Sequence, residues 1–169
     1  MQLIRCTQKL QKEMGLKKAD LSIAETDNSR LGEWYANLIY IERRKCVVFV
    51  NKKTLFNFIT PNVNRGQIRE LDKLFLMYFV NTILIGSGFD FIVPDVLDEY
   101  HNIHYAKTDS RSVLGSMNDI VMNYRFYIDD EGGLLSFDYL KILKKVNDIP
   151  FRALKSTIPI RAFKAVYGL

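Results

Sequence analysis

Two runs, Trp34-Tyr-Ala-Asn-Leu-Ile-Tyr-Ile and Cys46-Val-Val-Phe-Val, carry the densest β-branched and aromatic pattern in the chain. They flank Glu42-Arg43-Arg44-Lys45 and predict an antiparallel hairpin with a charged turn. Met1 to Cys6 alternates as a short first strand, with Leu3 and Ile4 on opposite faces. Thr7 is placed to cap a helix over Gln8 to Met14, which Gly15 ends. Lys17 to Arg30 is polar and irregular, a loop with a helical turn near Ala19-Asp-Leu-Ser. Thr54 to Ile59 reads as a third strand or a short helix, stopped by Pro61.

The second half is dominated by helical spacing. Gln67 to Ile85 places Ile68, Leu71, Phe75, Tyr78 and Thr82 on one stripe, and its later turns are apolar nearly all round, so it predicts one long buried helix. Gly86-Ser-Gly88 stops it. A short helix over Phe91 to Tyr100 starts near Pro94, and His101 to Lys107 predicts a strand. Ser112 to Ile128 is the best-patterned helix, with Val113, Met117, Ile120, Tyr124 and Tyr127 on one side. Gly132-Gly133 turns the chain, Ser136 caps a helix through Val146 with Asp138 in its first turn, and a last helix begins near Pro159. No linker, repeat or biased segment interrupts the pattern, so residues 1–169 are expected to form a single domain. The expected class is α+β. A small antiparallel sheet, built from the first strand, the hairpin and the strand near His101, is covered on one face by four to five helices.

Composition narrows the setting. Hydrophobic residues make up 48% and charged residues 25% of 169, enough for a core that needs no disulfide or metal. Cys6 and Cys46 lie in apolar strands and read as buried thiols of a reducing compartment. Arg5 and Lys9 break any secretory signal, and Leu74 to Ile85 is too short to span a bilayer. A cytoplasmic location without membrane partners follows as the expectation. The formal net charge of +5 is uneven. Basic residues gather in the first twenty and last thirty positions, and acidic ones in Asp90 to Glu99 and Asp129-Asp130-Glu131. Such a face suits nucleic acid or another anionic partner, although an ordinary solvated surface can look the same.

The least generic stretch is Tyr105-Ala-Lys-Thr-Asp-Ser-Arg-Ser-Val-Leu-Gly-Ser-Met-Asn-Asp119, which runs from a strand end through a polar turn into a helix. Asp109, Ser110 or Ser112 can each cap that helix. Its first amides, the positive end of its dipole, Lys107 and Arg111 together suggest an anion site. Ser112, Ser116, Asp119 and Asn123 fall on one stripe, and Gly115 leaves a gap where a backbone or ligand can approach. The candidate ligand-binding residues are therefore Lys107, Ser110, Arg111, Ser112, Ser116, Asn118 and Asp119, with Arg43, Arg44 and Lys45 as accessory cations. Ordinary capping and a solvated helix face account for the same residues without a ligand.

Met1-Gln-Leu-Ile-Arg-Cys-Thr, Trp34-Tyr-Ala-Asn-Leu, Arg44-Lys-Cys, Asn51 with Lys53-Thr-Leu-Phe, and Lys107-Thr-Asp-Ser-Arg-Ser-Val-Leu-Gly-Ser-Met-Asn-Asp occur in this order. Together they resemble a widespread bacterial family known as a domain of unknown function. The resemblance covers nearly the whole chain. It implies a setting among plasmids and mobile elements and assigns no activity, ligand or catalytic residue.

Other chemistries find little footing. His101 and His104 match no common zinc spacing, so no metal or cofactor is expected. Gly86-Ser-Gly88 follows a helix instead of opening one, unlike a phosphate loop. The Ser-rich motif lacks a Gly-x-Ser-x-Gly elbow. The leading expectation is a non-catalytic binding module for nucleic acid or another phosphate-bearing ligand. The alternatives are a protein-interaction factor of a mobile-element, phage or defence system, using exposed aromatics around Trp34 and Tyr35, and a small metal-independent nuclease or hydrolase at residues 107–119, with Asp119 or His104 as base.

Overall fold

In a computed structural model, which describes residues 1–23 and 27–169, five strands form one open sheet. They are β1 (Gln2–Cys6), β2 (Trp34–Ile41), β3 (Arg44–Asn51), β4 (Asn57–Thr60) and β5 (Ile103–Lys107), in the order β4-β3-β2-β1-β5. The α+β class and the hairpin stand as expected. The hairpin turns through Glu42 and Arg43 alone, both at positive φ, with Ile41 opposite Arg44. Two left-handed residues match the right-handed twist of the flanking strands.

The sheet is mixed, however, and not antiparallel throughout. β1 runs parallel to both its neighbours, β2 and β5. The reason is connectivity. A helix and a long loop separate β1 from β2, enough chain for a crossover.

Helices also cover both faces instead of one. On the first face Ile4, Trp34, Phe49 and Phe58 pack against α1 (Gln8–Met14), α2 (Arg65–Arg69), α3 (Leu71–Leu76), α4 (Val93–Glu99) and α7 (Pro159–Val166). On the second, Tyr35, Ile39, Val48 and Ile59 meet α5 (Arg111–Asp130) and α6 (Tyr139–Asn147). Strands β2 and β3 thus bury both sets of alternating side chains, which explains their nearly continuous apolar runs. Trp34 centres the first core, edge-on to Phe58, Phe75 and Phe79, with its indole N–H donating to the Tyr100 hydroxyl at 2.8 Å.

The helix expected over Gln67 to Ile85 is broken. Backbone torsions at Glu70 leave the helical region between α2 and α3. There the Tyr105 hydroxyl accepts the Asp72 amide hydrogen at 3.0 Å, satisfying a donor that a helix start leaves free. From Met77 to Ile85 the helix widens to the π form. Asp138, not Ser136, caps α6 by accepting from the Lys141 amide. Thr7 precedes α1 but donates its hydroxyl to Asn37 instead of capping. Of the loop expected over 17–30, residues 24–26 lie outside the described residues.

Both edges of the sheet are partly covered. At β4 the Asn147 side chain imitates a neighbouring strand, accepting from the Asn57 amide at 3.0 Å and donating to the Asn57 carbonyl at 2.9 Å. Tyr139 donates to the Ile59 carbonyl, and Tyr124 to the Asn57 side chain. At β5 the Ser22 amide donates to the Tyr105 carbonyl at 2.7 Å. Such cover reduces the unpaired backbone groups that invite strand addition.

Asn147→Ala leaves the buried Asn57 amide without a partner and its carbonyl with only the Tyr124 hydroxyl at 3.5 Å. At about 1–3 kcal/mol for an unsatisfied buried group, the variant is expected to lose about 1–3 kcal/mol in urea unfolding, with an unchanged m-value.

Candidate functional site

Strands β1 and β5 lie side by side and parallel, yet the chain leaves them toward opposite faces. After β1 it enters α1 on the first face, and after β5 it enters α5 on the second. In open sheets, divergence of this kind opens a crevice beyond the carboxyl ends of the strands. A groove of about 400 Å³ lies there. Lys18, Ala19 and residues 21–23 form one wall, Lys107, Thr108 and Asp109 form the other, and Arg5 reaches it from the sheet.

Arg5 is 7% exposed and sits opposite Tyr35 in the sheet. A guanidinium so placed must be neutralised and hydrogen-bonded to remain charged. Its Nε lies 2.6 Å from Glu33, Nη1 donates to the Lys107 carbonyl at 2.8 Å, and Nη2 meets Glu33 and Asp109, both at 3.2 Å. Lys52 Nζ adds contacts of 2.8 Å to Glu33 and 3.4 Å to Asp109. The Tyr35 hydroxyl donates to the Asp109 carboxylate and accepts from its amide.

Burial opposes ionisation of both carboxyls, but their partners outweigh it. Arg5 and Lys52 hold Glu33 below the usual range. The Tyr35 hydroxyl, with Arg5 and Lys52, does the same for Asp109. Burial and the Asp109 carboxylate push Tyr35 up to about 12. The cluster is thus electrically closed, with Arg5 and Lys52 balanced by Glu33 and Asp109.

Asn51, fully buried at the end of β3, sets the loops that carry this cluster. Its side-chain oxygen accepts from the Lys53 and Thr54 amides and the Thr54 hydroxyl, and its amide donates to the Leu31 and Glu33 carbonyls. One side chain therefore ties the loop bearing Glu33 to the loop bearing Lys52. Ser110 caps α5, accepting from the Val113 amide at 3.3 Å. The helix therefore begins at the groove, with its positive end beside it.

Of the residues proposed from sequence, Lys107 lines the groove, and Ser110, Arg111 and Ser112 follow the wall residue Asp109 as the cap and first turn of α5, Lys107, Arg111 and Ser112 being exposed. The others do not join them. Ser116 is buried, 8% exposed, so it leaves the outward stripe expected for it. Asn118 and Asp119 are exposed on later turns of α5, Asp119 roughly 12 Å along the axis from Arg111. Arg43, Arg44 and Lys45 sit at the far end of β2, roughly 23 Å from Trp34 at 3.3 Å per residue, where Arg44 bonds Asn62 and Lys45 pairs with Glu13 at 2.5 Å. Trp34 and Tyr35 are fully buried and offer no aromatic surface. Gly115 faces open space, so no close helix packing requires it.

Arg5, Lys18, Glu33, Tyr35 and Lys52 lie outside the site residues proposed from sequence. Arg5 did carry a signal. It is the one ionic residue in a strand whose every other position is buried, and a buried charge demands counter-charges. Nothing in the spacing of Glu33, Lys52 and Asp109 identifies them as its partners.

A family model described as a domain of unknown function, DUF6933, matches residues 3–162. No curated protein and no solved structure matches the chain.

Arg5→Met strips Glu33 and Asp109 of a buried counter-charge and is expected to cost about 3 kcal/mol at neutral pH. Both carboxyls have lowered pKa values in the folded state. Their contribution is therefore full above the ordinary carboxylate range near 4 and is lost as pH falls through the lowered values. Urea unfolding at stepped pH should show a steeper acid decline in the wild type than in the variant. Gly115→Ala, in a helical and unobstructed position, should raise stability by about 0.5–1 kcal/mol in the same measurement.

Proposed function

The chain belongs to the DUF6933 family, and from the groove beyond β1 and β5 we propose that it is a non-catalytic binding module for a phosphate-bearing ligand. The observation that carries this reading is the charge arrangement of the groove. Arg5, Lys52, Glu33 and Asp109 cancel one another. Lys18 and Lys107, which line the groove, and Arg111, at the start of α5 just after the wall residue Asp109, enter no ion pair among the described residues. Among the described residues, positive potential at the groove therefore comes from these side chains and the start of α5, an arrangement that attracts phosphate.

Size and position favour a compact ligand. About 400 Å³ accommodates a small molecule, and the basic hairpin turn lies too far away to extend one phosphate track. A nucleotide, or a terminal segment of nucleic acid, suits the groove better than a long strand.

Among the described residues that line the groove, Asp109 is the one carboxylate, and its partners lower its basicity, whereas general bases work best near ambient pH; this favours binding over turnover. His104 pairs with Leu3, further back along the sheet. A second reading, protein interaction, now rests on Met122 and Phe126, which are 68% and 66% exposed one turn apart on α5.

Fluorescence anisotropy with a labelled nucleotide, labelled single-stranded RNA and duplex DNA, at low and moderate salt, tests the proposal. Binding should weaken with salt and by about tenfold or more in Lys107→Ala/Arg111→Ala. It should strengthen in Asp109→Asn, which removes a negative charge from the groove wall. If the wild type binds none of these probes at low salt, the proposal fails.

A further inference from the structure

A second cavity is lined by none of the residues that line the groove. The loop that ends the π-helix, Gly86-Ser-Gly88, meets the flanks of α6 and α7 there and leaves a cleft of about 400 Å³. Its floor is apolar: Phe56, Phe89, Leu143 and Ile160. Phe56 stacks on Phe163 of α7 at a ring separation of 4.4 Å, and Phe89 meets the same ring at 5.7 Å, so the floor is rigidly built. The chain after the π-helix is fixed by hydrogen bonds from the Ser87 amide to the Ile83 carbonyl and from the Phe89 amide to the Leu84 carbonyl.

The rim is polar and mainly positive. Lys144 from α6 and Lys164 from α7 stand on it, both exposed and both outside any ion pair among the described residues. Lys164 lies 5.7 Å above the Phe89 ring, which draws its ammonium toward the opening. Asp148, at the end of α6, is the one carboxylate on the rim, leaving a net charge of +1 from the two lysines and this aspartate. Asn147 also borders the cleft, but its amide is committed to Asn57 and Leu143.

An apolar floor beneath paired ammonium groups recognises one ligand chemistry, an anionic head on a short apolar body. The volume falls within the range of about 300–1,000 Å³ that small-molecule sites occupy. A π-helical segment ending at the wall is a further mark of such sites. We propose that this cleft binds a small amphipathic carboxylate, with its apolar chain on Phe56, Leu143 and Ile160 and its carboxylate between Lys144 and Lys164. The site is independent of the phosphate-binding groove and shares no residue with it.

Titration calorimetry with decanoate below its micelle concentration, with decanol as the uncharged control, tests the assignment. Wild-type protein should bind decanoate about tenfold or more tightly than decanol. Lys144→Glu/Lys164→Glu, which alters only exposed side chains, should weaken decanoate by about tenfold and leave decanol unchanged. Ser87→Trp, at the exposed mouth, should block both ligands while circular dichroism and thermal unfolding stay as in the wild type. Lys107→Ala/Arg111→Ala should leave decanoate binding intact, which separates this site from the groove. No heat from decanoate, or equal affinity for decanoate and decanol, or binding that survives both cleft variants would overturn the proposal.

Discussion

A guanidinium cannot be placed inside a sheet without reorganising what surrounds it, and Arg5 is such a guanidinium. Glu33 comes from the loop before β2, Lys52 from the loop after β3, and Asp109 from the turn after β5. None is near Arg5 in sequence. Each is drawn to one point because an ion removed from water keeps its charge only with counter-ions and hydrogen bonds at hand. The polar end of the sheet is therefore specified by one residue of β1. Asn51, holding the two loops in register, keeps that arrangement from drifting.

The same constraint shapes the candidate site. Because the charges around Arg5 cancel, the cluster forms a neutral base for the groove and contributes little potential of its own. The exposed lysines and arginine stand on that base, free of the structural duties that bind Arg5 and Lys52. Cations outside any ion pair among the described residues are what separate this groove from the hairpin turn, where Lys45 is tied to Glu13 and Arg44 to Asn62.

Much of the architecture was legible in the sequence because periodicity reports burial directly. The hairpin, α5, α4 after Pro94 and the final helix all appear close to where the pattern places them. What escaped was set by distant partners. The apolar runs of β2 and β3 showed that they were buried but not that both faces were covered, and the choice between parallel and antiparallel pairing of β1 leaves no local trace. The break at Glu70 depends on the hydroxyl of Tyr105, a residue of another element. At the site, Lys107, Ser110 and Arg111 were visible as one contiguous motif. Arg5, Glu33 and Lys52 were not, because only the fold makes them neighbours. The helical stripe through Ser116 misled for a related reason: a small hydroxyl residue fits a buried helix flank as readily as an exposed one.

The sheet topology also bears on how the molecule forms. β1 lies next to the edge, between β2 and β5, yet its partner β5 lies about a hundred residues later, and the Arg5 to Lys107 hydrogen bond spans 102 positions. Contacts of such separation carry a large loop-closure entropy and slow the approach to the native state. The β2–β3 hairpin, by contrast, is local and can form early. Docking β5 against β1 is then a late event, and until it happens Arg5 lacks both the Lys107 carbonyl and the Asp109 carboxylate. Folding of this chain should accordingly be gated by the arrival of the segment that carries its most distinctive motif, so that the groove and the completed sheet come into being in the same step.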